Sequence, residues 1–181
     1  MVNRFPQDSS TSMEEGGSRG RDSLEGGIGL NQRKEAIISI GHKPIVERIA
    51  VATGRLRISS ESKNAIQNGL VQKGDVLEAS TVAAIQAAKE TPRSIPHCHP
   101  IPLESCTVEW DWDGDDLICK VTVSAHWKTG VEMEALCAVS TGLLCALDMV
   151  KSIEKDDTGQ YPNTEIHGIR VIQKQKGNGQ V

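Results

Sequence analysis

A chain of 181 residues with 38% hydrophobic and 24% charged content has the size and balance of one globular domain with a sizeable core. A formal net charge of −4 argues against a general nucleic-acid binder, so any anionic ligand must be met by a local cluster of cations. No run approaches the roughly 18 to 20 continuous apolar residues of a membrane span, and the polar, Gly-rich start lacks a signal peptide's apolar stretch, so a cytoplasmic location with no membrane partner is expected.

Residues 1–34 hold Gly, Ser and charges of both signs with almost no apolar side chains, too little to offset the entropy of ordering, and are expected to form a disordered tail. Residues 35–176 are expected to fold as a single domain, with a frayed end at 177–181. The domain opens on the apolar run Ala36–Ile40. Arg48–Ile58 then alternates in part as a strand would, and Ser59–Asn68 reads as a short helix or turn stopped by Gly69. Asp75 with Glu78 three residues later has the form of a capping box ahead of an Ala-rich helix to Lys89, which Pro92 and Pro96 end.

Two period-two runs follow. Val108, Trp110 and Trp112 share one face, as do Leu117, Cys119, Val121, Val123 and Ala125, and Asp113-Gly-Asp-Asp116 forms the hairpin connection. A helix of about six turns is predicted over Val131–Lys155, with Leu136, Val139, Leu143, Leu147 and Val150 as its apolar stripe. Ile166–Lys174 closes as a strand. The order strand, helix, strand, strand, helix, strand is the split βαβ arrangement (βαββαβ) of a ferredoxin-like α+β domain, with helices packed on one face of an antiparallel sheet. Five cysteines, at 98, 106, 119, 137 and 145, fall at no paired zinc or redox spacing and read as reduced thiols.

Three constellations could carry chemistry. In Ile95-Pro-His-Cys-His-Pro-Ile-Pro102, prolines fix an extended loop and hold His97, Cys98 and His99 with little freedom, either as a rigid connector or as a binding loop. Lys73 precedes a predicted helix N-terminus, where free N–H groups favour an anion, although a solvated turn lysine has the same sequence. Asp148 and Lys151 are neighbours one turn apart on the long helix. An ordinary surface ion pair is the plain account, but their apolar flanks suggest a partly desolvated pair with the shifted pKa values that proton transfer requires. Glu132 and Glu134 lie where carboxylates relieve unpaired helix N–H groups, so capping is their default role, and Met133 defaults to packing. From Glu134 to Asp148 the helix rises about 21 Å, too far for one small site in one chain, which makes an oligomer the natural expectation if both act.

Taken together, Lys73-Gly-Asp-Val, Ile85-Gln-Ala-Ala-Lys89, Cys98-His-Pro100, Lys128-Thr-Gly-Val-Glu-Met-Glu-Ala-Leu136 and Asp148-Met-Val-Lys151 resemble the cyclic pyranopterin monophosphate synthase family, over roughly Ile37–Lys176. The resemblance implies a lyase of molybdenum cofactor biosynthesis that converts (8S)-3′,8-cyclo-7,8-dihydroguanosine 5′-triphosphate to cyclic pyranopterin monophosphate and releases pyrophosphate. It implies a homohexamer, a trimer of dimers with the active site at a dimer interface. Asp148 and Lys151 then resemble the catalytic acid/base pair, and Lys73 a further catalytic or phosphate-binding lysine. The substrate-binding segments would be His97, Cys98 and His99 with Glu132, Met133, Glu134 and Lys128, and Arg48 matches a basic position near the triphosphate. No resident cofactor or metal is implied, Mg²⁺ entering, if at all, with the triphosphate. The chain departs from the family pattern at His97, usually Leu or Met, at Ser39, usually Asp, and in a longer connection over 155–164. A metal-dependent hydrolase using His97, His99 and His126, and a non-catalytic nucleotide or pterin binder, are the competing readings.

Overall fold

The computed structural model describes residues 36–178. The tail expected at 1–34 and the last residues, 179–181, lie outside them.

Four strands and four helices follow in the order β1 (Val46–Arg57), α1 (Ser60–Gln67), α2 (Val76–Lys89), α3 (Thr91–Ser94), β2 (Ser105–Asp113), β3 (Asp116–Trp127), α4 (Glu132–Glu154) and β4 (Glu165–Lys176). One antiparallel sheet has the order β2-β3-β1-β4, with Ala50 opposite Val123 and Gly54 opposite Cys119. The ferredoxin-like α+β architecture expected from the element order is the one found. The alternation in β3 buries Leu117, Cys119, Val121, Val123 and Ala125 completely, on the face that meets α4. Each such Leu or Val contributes roughly 1.5 to 3 kcal/mol relative to exposure.

The core is made of Val, Leu and Ala, and small residues set how closely its layers approach. At Gly54 in β1 a Cβ would come within 2.8 Å of Val139 and 2.9 Å of Leu143, so this glycine lets α4 lie directly on the sheet. Gly142 does the same on the other side of α4, where a Cβ would meet Ala84 of α2 at 3.3 Å. The buried stripe of α4 runs through Ala135, Ala138, Val139, Leu143, Ala146 and Val150. Leu136 and Leu147 of the predicted stripe are only half-buried, because the tightly packed faces of α4 are those that meet its neighbours through alanine and glycine. By length and composition α4 could cross a membrane, but half of its most apolar window is buried within the domain.

Caps fix the helix ends. Ser59 accepts from the N–H of Ser62 at 3.2 Å and Asp75 from that of Glu78 at 2.9 Å, so the predicted start of α2 is correct to the residue. Pro92 does more than stop α2. It occupies the first turn of α3, a position that needs no N–H donor, and so restarts one helical turn. The apolar run Ala36–Ile40, expected to open the folded unit, forms no regular element and leaves Ile37 and Ile38 exposed. All five cysteines are free thiols.

Candidate active site

The predicted site residues fall into two groups at opposite ends of α4. At its N-terminal end His97, Cys98, His99, Thr129, Gly130, Glu132, Met133 and Glu134 line a cleft of about 320 Å³ together with Ile101. The Pro-fixed loop forms one wall and the first turn of α4 the other. Arg48 reaches this region from β1 while buried, and its guanidinium donates to the carbonyls of Trp127 (3.3 Å) and Lys128 (3.5 Å). It holds the backbone that leads into Thr129 and Gly130.

Glu134 is only 2% exposed, and burial first, then the Glu132 charge, pushes its carboxyl up to about 7 against the opposing pull of its own backbone N–H. The pull of its own backbone N–H fits the capping role its position suggests, but capping alone does not account for a carboxyl removed from water. Glu132, in contrast, is paired with Lys174 of β4. Cys98 is held as a thiol, its pKa raised by burial and by the nearby Glu134. His97 Nδ1 lies 3.2 Å from the carbonyl of Ala36 and His99 Nε2 lies 2.9 Å from that of Ile38, so each of these nitrogens carries a proton to donate. Lys128 Nζ donates to the carbonyl of Gly41 at 3.0 Å.

His126 lies apart from His97 and His99 in the single chain. His126 donates to Glu104 at 2.8 Å and is not part of the His97–His99 cleft. No three His, Cys, Asp or Glu side chains among the described residues gather as a metal would require.

At the other end of α4, Asp148 stands between two ammonium groups. Its Oδ2 accepts from Lys73 at 2.6 Å and its Oδ1 from Lys151 at 2.5 Å, while Lys73 also donates to the Asp148 carbonyl at 2.8 Å. Lys73 is carried by the turn before α2, where Gly74 adopts a φ of +103°, and it reaches across to α4 rather than toward the N-terminus of α2. The sequence did not show this contact, since 75 residues separate the partners. Leu144, Leu147, Tyr161 and Thr164 complete a cleft of about 400 Å³ around Asp148 and Lys151. Tyr161 and Thr164 come from the 155–164 connection, which sequence reasoning assigned no role.

One expectation is corrected here. Asp148 and Lys151 are not a desolvated pair with pKa values drawn toward neutrality, because both side chains are about half exposed. The Lys151 hydrogen bond, and next that of Lys73, lower Asp148 to about 2, and the same carboxylate raises Lys151. Both charges are fixed at neutral pH in the single chain, and the carboxyl that is drawn up toward neutrality is instead that of Glu134.

Similarity to known proteins covers both groups of residues. The model of the MoaC family matches residues 37–177. A protein of Sulfurisphaera tokodaii named probable cyclic pyranopterin monophosphate synthase is 52% identical over 140 residues, covering 77% of this chain and 93% of its own. A protein of the same name from Archaeoglobus fulgidus is 48% identical over 148 residues, 82% of this chain and 95% of its own. A protein of Methanothermobacter thermautotrophicus named probable cyclic pyranopterin monophosphate synthase accessory protein is 49% identical over 140 residues, 77% of this chain and 88% of its own.

Proposed function

The chain belongs to the MoaC family, and from that membership we propose that it is a cyclic pyranopterin monophosphate synthase: a lyase that converts (8S)-3′,8-cyclo-7,8-dihydroguanosine 5′-triphosphate to cyclic pyranopterin monophosphate and pyrophosphate in molybdenum cofactor biosynthesis. The observation that carries this reading is the Lys73–Asp148–Lys151 cluster, a carboxylate holding two ammonium groups at 2.6 and 2.5 Å beside an open cleft.

The reaction needs ring C–N bonds opened and reclosed. A ribose hydroxyl oxygen then bonds the α-phosphorus while the P–O bond to pyrophosphate breaks and the hydroxyl proton passes to a base. Fixed cations at the phosphates and proton carriers at the ring meet those demands. Asp148 holds and aims Lys73 and Lys151, and Lys151, kept charged by that carboxylate, carries the proton of the pair. Glu134 is suited to accept and return a proton near neutral pH. His97, Cys98, His99, Met133, Glu132, Lys128 and Arg48 form or support the substrate-binding half.

The two halves are separated by about 21 Å of helix, which supports a pocket completed by a second copy of the chain. We assign the homohexamer, as a trimer of dimers, and a cytoplasmic location to the same reading. It requires no resident cofactor, Mg²⁺ entering, if at all, with the triphosphate. The test is incubation of purified protein with the cyclised triphosphate, followed by assay of pyrophosphate and identification of the pterin product. One relative bears the name of an accessory protein. A non-catalytic pocket would bind the triphosphate and release no pyrophosphate.

A further inference from the structure

The connection Lys155–Thr164 is longer than the family pattern led us to expect, and it is tied down on both sides of its only aromatic residue. On the near side, Asp156 Oδ1 accepts from the N–H of Thr158 (2.9 Å), the N–H of Gln160 (2.9 Å) and the Thr158 hydroxyl (2.7 Å). Gly159, at φ +80°, closes the turn by donating to the Asp156 carbonyl at 2.9 Å. On the far side, the Thr164 hydroxyl donates to Glu154 Oε2 at 2.5 Å. The other oxygen of this buried carboxylate accepts from Ser59 N–H (2.9 Å) and Ser59 Oγ (2.6 Å). Between these anchors Tyr161 is 40% exposed and forms part of the wall of the Asp148–Lys151 cleft.

We propose that Tyr161 is the stacking surface for the planar pyrimidinone ring of the substrate, presented beside Asp148 and Lys151 by the anchored 155–164 loop; the assignment rests on the synthase reading. Lysines hold phosphates and a carboxylate moves protons, but they offer nothing complementary to the face of the planar, conjugated pyrimidinone ring, the part of the substrate that stays flat although the five-membered ring is saturated at C8. A phenol ring does, and stacking between a base and an aromatic side chain is insensitive to the ring's hydrogen-bonding pattern, which changes during this rearrangement. Tyr161 is the only Phe, Tyr or Trp among the residues lining either cleft. Trp110 and Trp112 are occupied elsewhere, Trp110 by a 2.8 Å bond to Thr81 and Trp112 under the Lys63 ammonium. A volume of about 400 Å³ is within the range of small-molecule sites.

The test compares steady-state kinetics of the full chain, Tyr161→Ala and Tyr161→Phe on the cyclised triphosphate, with the mass of each assembly measured by light scattering. Tyr161→Ala should raise KM about tenfold with kcat changed less than threefold, and Tyr161→Phe should keep the wild-type KM because the ring is retained. An unmoved KM in Tyr161→Ala, beside normal wild-type turnover, would overturn the stacking role alone. A loss in Tyr161→Phe as large as in Tyr161→Ala would assign the work to the hydroxyl and overturn it too. So would an altered mass for Tyr161→Ala, which would make the ring a contact between copies. No pyrophosphate from the wild-type protein would remove both the synthase reading and this one.

Discussion

Lys73 and Asp148 meet at 2.6 Å across the gap between the turn before α2 and the C-terminal half of α4, and the same lysine also takes the Asp148 main-chain carbonyl. The double contact fixes the position of the ammonium group. Lys73→Ala and Asp148→Asn should each lower pyrophosphate release at least about a hundredfold while leaving substrate binding measurable by calorimetry, the pattern of lost transition-state interactions. Turnover within a factor of three of wild type in either variant would exclude the cluster from catalysis.

Glu134 should make the protein less stable as pH rises from the acid range toward neutrality. Its carboxyl titrates near 4.5 when unfolded and at about 7 when folded. Between those values the folded state keeps a proton that the unfolded state has released, so stability declines from about pH 4.5 to about pH 7 and levels off above. The loss is on the order of 3 kcal/mol. Glu134→Gln should flatten that decline in thermal melts across the same pH range. A slope identical to wild type would show that the carboxyl is not perturbed.

The acid limb of activity should not come from Asp148. Its carboxylate is held down to about 2 by the Lys151 and Lys73 hydrogen bonds, so its contribution is present above the unfolded value near 3.8 and disappears only as pH falls through about 2. A kcat/KM profile should instead turn near pH 7 and lose that turn in Glu134→Gln.

Glu154→Ala strands the Ser59 N–H and the Ser59 and Thr164 hydroxyls beside a buried void. We expect a loss of about 3 kcal/mol in urea unfolding with the m-value unchanged. Retained stability would mean that water replaces the carboxylate without cost.

Gly54→Ala should destabilise by about 1 to 3 kcal/mol through overpacking, because its Cβ would press on Val139, Leu143 and Ile169 at 2.8 to 2.9 Å. Val139 and Leu143 belong to the helix that carries both groups of site residues, so turnover should fall as well. Wild-type melting and activity together would show that α4 is free to lift from the sheet.

The sheet was legible because alternation in Leu117–Ala125 and the aromatic run Val108–Trp112 can be satisfied only by strands with one buried face. The Asp75 cap was legible because its partner lies three residues away. Local rules do not reach from Lys73 to Asp148, and a helical wheel records direction without recording what covers it. That is why Glu134, given a capping role by position, proves to be buried, while Asp148, whose apolar flanks suggested partial desolvation, is open. The 155–164 loop offered no period at all, and its order comes from Asp156 and Glu154 acting on backbone and hydroxyl groups.

A single rod joins Glu134 to Asp148, and its residue count works as a gauge between the two workplaces at its ends. One residue inserted between them would advance Asp148 by about 1.5 Å and swing it through about 100°, out of reach of Lys73. Side chains along this span can be exchanged where packing permits, but its length in residues cannot be altered without dismantling one end or the other.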